Sequence, residues 1–161
     1  MKLEKLITKE LERSELSLCT AESCTGGLIA GRITAISGAS GCFQGGFITY
    51  SNNAKTILLG ISKALIERYG AVSAETARAM AEGARAKLNT DIAVSVTGIA
   101  GPDGGTPDKP VGTVYIGLAV DKKTLVRYFL FSGTRHVIRK KATDEALKFV
   151  VDHIEGRLKH E

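Results

Sequence analysis

Apolar residues recur at helical spacing from the start of the chain. Leu3, Leu6, Ile7 and Leu11 share one face of a helix predicted over residues 2–14, with charged side chains elsewhere. Residues 17–20 read as a short strand that runs into Ala21-Glu22-Ser23-Cys24-Thr25-Gly26-Gly27, and a helix follows from about residue 28 to 36. Residues 37–41 form a small-residue loop. Residues 42–50 read as a strand whose paired Gly45 and Gly46 signal a bulge or a close backbone approach. Cap residues then punctuate three helices. Ser51-Asn52-Asn53 precedes one over about 54–59, Ser62 precedes one ending at Tyr69 and Gly70, and Ser73 precedes one over about 74–88. Glu75 in the last of these suits the helix dipole. Ile92-Ala93-Val94-Ser95-Val96 is a buried type of strand. A long loop covers 98–112, and strands over 113–120 and 124–131 flank Asp121-Lys122-Lys123 as an antiparallel hairpin. A final helix is predicted over about 135–157. Strands interspersed with helices predict a layered α/β domain, and the hairpin makes its sheet mixed.

Composition narrows the class. The chain has 161 residues, 43% hydrophobic and 24% charged, which suits one soluble globular domain with a sizeable core. Its 18 glycines exceed ordinary usage of about 7% but show no G-X-Y period, so each cluster needs a local reason. No apolar run approaches the length that spans a bilayer, and the first residues carry no signal-peptide core. Cys19, Cys24 and Cys42 are odd in number and lack CxxC spacing, so free thiols in a reducing cytoplasm are expected rather than a disulfide framework or structural zinc. The net charge of +5 is uneven: residues 122–141 hold seven basic groups and no acidic one. A solvated face accounts for the lysines there, and the arginines need separate treatment.

Four segments can carry chemistry. In Glu22-Ser23-Cys24-Thr25-Gly26-Gly27 a hydroxyl stands between a strand and a helix N-terminus, whose free amides stabilise an oxyanion or a phosphate. Capping by Ser23 or Thr25 is the simpler reading, and it leaves the crowding of polar groups unexplained. Cys24 is a rival nucleophile without an obvious base, because His136, His153 and His160 lie far along the chain, the last two on an expected solvated face. Tyr50 ends a strand, and Lys55 enters the next helix at a position the dipole disfavours. Either both are ordinary surface groups or they serve Ser23 as proton carriers. The loop 98–112 contains all three prolines and five glycines, which argues for a shaped ligand-binding loop, although neither nucleotide fingerprint fits it. Arg135 and Arg139, spaced i, i+4 at a helix start, repel each other and oppose the dipole, and a bound phosphate or carboxylate would relieve both problems.

Taken together, Thr20-Ala21-Glu22-Ser23-Cys24-Thr25-Gly26-Gly27, Gly46-Phe47-Ile48-Thr49-Tyr50-Ser51-Asn52 with Lys55, Gly70-Ala71-Val72-Ser73, and Gly98-Ile99-Ala100-Gly101-Pro102-Asp103-Gly104-Gly105 with Lys109-Pro110-Val111-Gly112-Thr113 closely resemble the CinA C-terminal family. That family includes nicotinamide mononucleotide deamidases, and its name refers to competence and DNA damage, a context rather than a chemistry. The resemblance spans almost the whole chain. It implies a single three-layer α/β/α domain over residues 1–161 and a serine amidohydrolase that converts nicotinamide mononucleotide to nicotinate mononucleotide and ammonia. Ser23 matches the nucleophile, and Tyr50 and Lys55 match its proton-handling partners. Arg135 matches a substrate-binding basic residue, with Arg139, Thr25, Gly26, Gly98 and Gly101 as further substrate contacts. Backbone amides around Cys24–Gly26 are expected to hold the oxyanion. Longer relatives carry an additional N-terminal domain, and a first helix directly after Met1 implies the stand-alone form. Neither a metal nor a cofactor is expected, nor a membrane or nucleic-acid partner. With 6% aromatic residues and no tryptophan, little is available to stack bases. The expected partners are the small-molecule substrate and further copies of the chain. The alternatives are a non-catalytic nucleotide- or phosphate-binding domain and a nucleic-acid module built on the 122–141 patch.

Overall fold

The strands with the most continuous runs of small and apolar residues occupy the centre of the sheet. A computed structural model describes residues 1–158. It contains α1 (Leu3–Ser14), β1 (Leu18–Glu22), α2 (Leu28–Thr34), a 3-10 turn (Ala39–Gly41), β2 (Phe43–Ile48), α3 (Asn52–Leu59), α4 (Lys63–Tyr69), α5 (Ala74–Leu88), β3 (Ile92–Gly98), β4 (Thr113–Val120), β5 (Lys123–Leu130) and α6 (Arg135–Ile154). The sheet order is β2-β1-β3-β4-β5. The pairs β2–β1 and β1–β3 are parallel, and β3–β4 and β4–β5 are antiparallel, so the sheet is mixed as predicted.

Alternation along the inner strands divides the core in two. Large residues of β3 and β4 (Ile92, Val94, Val96, Val114, Ile116, Leu118) face α1, α2 and α6, where they meet Ile7, Leu11, Ile29, Ile33 and Phe149. Small residues of the opposite set (Cys19, Ala21, Ala93, Ala119) face α5 and its Met80, Ala81 and Ala84. This is the α/β/α sandwich. Small side chains let α5 sit so close that a Cβ at Gly117 would come within 2.6 Å of the Ala77 carbonyl oxygen.

Register aligns the carboxyl ends of the three parallel strands. Glu22 of β1 lies opposite Ile48 of β2 on one side and Val96 of β3 on the other. The connection from β1 to β2 runs through α2, and that from β2 to β3 through α3–α5 on the other face. Ligands of open α/β sheets bind at carboxyl strand ends where connections diverge in this way.

Most predicted elements are present, with shifted ends. β1 continues two residues past Thr20, and Glu22 is 1% exposed within it. β2 stops at Ile48 instead of Tyr50. The Thr49 amide still donates to the Glu22 carbonyl, but its own carbonyl turns to Lys55 and the chain leaves the sheet. The register shifts between Leu18 and Cys19 against β2, which is the irregularity that Gly45 and Gly46 signalled. The last helix ends at Ile154, three residues early, where Gly156 adopts a left-handed φ of 68°. Among the described residues, no helix is long and apolar enough to cross a membrane.

Candidate functional site

Ser23 is the first residue beyond β1. Its amide donates to the Val96 carbonyl at 2.9 Å, which ties it to the neighbouring strand end. The chain then turns through Gly26 and Gly27, both at positive φ, into α2. Neither Ser23 nor Thr25 caps that helix. Glu22 does so from within the strand: its carboxylate accepts from the Ile29 amide at 2.9 Å, the Ala30 amide at 3.0 Å and the Thr25 hydroxyl at 2.7 Å. One carboxylate thus satisfies orphan amides at the start of α2, complements its dipole and holds the turn that follows Ser23. The polar crowding has a structural cause, and it frees Ser23 from capping.

Lys55 lies in the first turn of α3, whose N-cap is Ser51. It is 1% exposed, an unusual burial for lysine. Its Nζ stands 3.1 Å from Ser23 Oγ and donates to the Thr49 carbonyl at 2.8 Å. Among the described residues no carboxylate pairs with it. Burial lowers its pKa from the ordinary lysine value of 10.5, opposed weakly by the nearby Cys24 thiol. Burial thus disfavours the ammonium relative to an exposed lysine, with one N–H committed to Thr49 and another directed at Ser23 Oγ.

A cleft of about 290 Å³ opens over this pair, between the strand ends and the loop 98–112. The loop is folded rather than slack. The Gly112 amide donates to the Ile99 carbonyl, the Thr106 amide to the Lys109 carbonyl, and Lys109 Nζ to the Tyr69 carbonyl. Gly98 and Gly101 both line the cleft. A Cβ on Gly98 would lie 2.7 Å from Val114 and 3.2 Å from Cys24 Sγ, while Gly101 has φ 79°. Arg135, at the first position of α6, closes the far wall. It donates to the Gly101 carbonyl and to the Tyr50 hydroxyl, both at 2.9 Å.

The structure therefore gathers Ser23, Lys55, Tyr50, Gly98, Gly101 and Arg135 around one cleft. Tyr50 contacts Arg135, not Ser23 or Lys55. Three predicted substrate contacts stand behind the cleft rather than on its wall. Thr25 is fully buried against Glu22, Gly26 donates its amide to the Ser23 carbonyl, and Arg139 binds the Cys24 and Thr25 carbonyls. Among the lining residues without an assigned role in the sequence, Asn52, Thr97 and Asp103 have polar side chains, and Asp103 is the one carboxylate on the wall among the described residues. Its place in the proline–glycine loop was the available signal. No histidine lines the cleft among the described residues: His136 is exposed, His153 is half-buried rather than solvated, and His160 lies outside the described residues. Burial pushes the Cys24 thiol up to about 11, so it is protonated at neutral pH.

The basic stretch 122–141 also resolves into separate contacts. Arg127 pairs with Asp152 and lies over the Phe149 ring, Lys140 pairs with Asp144, and Lys141 donates to the Ser132 carbonyl. The strain foreseen for Arg135 and Arg139 is relieved by protein oxygens. A hydroxyl, a buried lysine of lowered pKa beside it, nearby amides and a cation on the far wall suit acyl transfer.

Comparison with known proteins agrees with this architecture. The CinA C-terminal domain family is matched over residues 1–154. A putative competence-damage inducible protein of Caldanaerobacter subterraneus subsp. tengcongensis is 47% identical over 155 residues, 96% of this chain and 38% of the relative. A CinA-like protein of Citrifermentans bemidjiense is 57% identical over 129 residues, 80% of this chain and 31% of the relative. The chain thus spans about a third of the curated relatives' length. Among solved structures, the competence/damage inducible protein CihA from Agrobacterium tumefaciens superposes with a TM-score of 0.90 at 40% identity, covering 92% of each chain. A CinA superfamily protein from Escherichia coli gives 0.88 at 32% identity, covering 93% of this chain and 89% of that one.

Proposed function

The chain belongs to the CinA C-terminal domain family, and from that premise we propose that it is a serine amidohydrolase acting on nicotinamide mononucleotide. The observation that carries this reading is the buried Lys55 amine, with no carboxylate partner among the described residues, 3.1 Å from Ser23 Oγ at the floor of a cleft. In the proposed reaction neutral Lys55 takes the Ser23 proton as Oγ bonds to the carboxamide carbon. The carbonyl oxygen becomes an oxyanion, held by the Cys24 and Thr25 amides. As the C–N bond breaks, Lys55 returns the proton to the leaving nitrogen and ammonia departs. Water then attacks the Ser23 ester, with Lys55 accepting its proton and passing it back to Oγ.

Arg135 anchors the phosphate, assisted by amides of the glycine loop. Its guanidinium is preorganised by Gly101 and Tyr50 and suits bidentate binding of a phosphate. Tyr50, held by Arg135, presents its hydroxyl to substrate at the cleft mouth rather than to Ser23 directly. The three free cysteines suit a reducing cytoplasm. The test is to incubate the purified protein with nicotinamide mononucleotide and measure ammonia and the acid product. Equal amounts of both support the reading, and tight binding without ammonia refutes it.

A further inference from the structure

The geometry points to Arg139 as a positioning residue for the oxyanion-binding amides rather than a contact of the substrate phosphate. This rests on the proposed serine chemistry. Arg139 Nε donates to the Cys24 carbonyl at 2.9 Å and Nη2 to the Thr25 carbonyl at 3.1 Å. Its flat guanidinium fork therefore holds two successive peptide planes. In a trans peptide the carbonyl and the following N–H point in opposite directions. Fixing the Cys24 carbonyl on Arg139 turns the Thr25 amide to the opposite side of the turn. Fixing the Thr25 carbonyl turns the Gly26 amide inward, where it meets the Ser23 carbonyl at 3.0 Å. That last bond in turn directs the Cys24 amide outward. Neither the Cys24 nor the Thr25 amide donates to another described residue.

Two further observations fit a clamp. A Cβ on Gly26, at φ 58°, would come within 3.3 Å of Arg139 Nη2, so the turn and the guanidinium are closely matched. No carboxylate among the described residues pairs with Arg139, so its hydrogen bonds are spent on this turn. The side chain reaches the turn from behind. It lines a separate cleft of about 680 Å³, bordered by Leu28, Arg32 and His136, that does not include Ser23.

The experiment compares wild type, Arg139→Ala and Arg139→Lys in steady-state turnover of nicotinamide mononucleotide, and in the rate at which a fluorophosphonate labels Ser23. Losing one oxyanion donor typically costs about 10²–10³-fold in kcat. Both variants are expected to lose about 10²-fold in kcat with KM within about threefold, because lysine keeps the charge but cannot bridge two carbonyls. Guanidinium ion at low millimolar concentration, entering through the open rear cleft, should restore about tenfold of the loss in Arg139→Ala and nothing in wild type. If Arg139→Ala does not fold, Arg139→Lys alone decides the matter. A loss confined to KM, or wild-type kcat in Arg139→Lys, overturns the proposal. Where wild type releases no ammonia but its serine labels, the substrate reading fails and the labelling rates still judge Arg139: slowed labelling in Arg139→Lys supports it and an unchanged rate overturns it. A wild-type serine that neither turns over nor labels overturns both.

Discussion

Lys55 Nζ and Ser23 Oγ lie 3.1 Å apart although 32 positions separate the two residues in sequence. An ammonium buried without a counter-ion is costly, and the cost is avoided when the amine is neutral. In the proposed reaction, the pair's activity therefore depends on pH.

Lys55 must be neutral to accept the serine proton. Its pKa is lowered from 10.5, so activity should rise with pH through that lowered value and level off before 10.5 is reached. Lys55→Met should reduce kcat by about 10²–10⁴-fold. Stability carries the same signature. Between the lowered value and 10.5 the unfolded chain binds more protons at this site than the folded one, so stability increases with pH across that window. Urea midpoints measured against pH should show the increase in wild type, and Lys55→Met should lose this site's share of it.

Glu22 holds the start of α2 and the turn after Ser23 with a single carboxylate. Glu22→Ala should cost about 2–3 kcal/mol, the scale of losing charge-assisted bonds to buried donors. Chemical denaturation measures it. A change under 0.5 kcal/mol would contradict the capping role.

Arg135 is exposed and already oriented by two protein oxygens. Arg135→Ala should raise KM for the mononucleotide by about 10–100-fold, in line with one charge-assisted contact. It should leave the kinetics of the riboside, which lacks the phosphate, nearly unchanged. Equal losses on both substrates would deny Arg135 the phosphate.

Cys24 lines the cleft beside Ser23, but its thiol is held near pKa 11. Iodoacetamide at pH 7 should not abolish the proposed turnover, and Cys24→Ala should keep kcat within about threefold. Loss of turnover on alkylation of Cys24 would revive the thiol as nucleophile.

Legibility in the sequence followed range. Ser51, Ser62 and Ser73 cap helices within three residues of themselves, and each was readable because the relationship is local. Glu22 was not, because its capping targets lie seven and eight residues on, beyond a turn whose path the sequence does not state. Both members of the Ser23–Lys55 pair were visible as candidates. What brings them together is the register that aligns the ends of β1, β2 and β3, a property of the sheet. Arg139 was noticed for breaking local charge rules, but its partners lie more than 100 residues earlier, so the pattern flagged an interaction without naming it. Gly46 announced the close approach of Thr20, since a missing Cβ is a local fact with a nonlocal cause, whereas Gly31, Gly38 and Gly60 meet nothing nearby.

The most direct measurement is ammonia released from nicotinamide mononucleotide by wild type and by Ser23→Ala, purified side by side and shown to have the same thermal midpoint within about 3 °C. The account predicts sustained release by wild type, matched mole for mole by nicotinate mononucleotide, and at least about 10³-fold slower release by Ser23→Ala. Undiminished ammonia release by Ser23→Ala, or none by wild type, would contradict it.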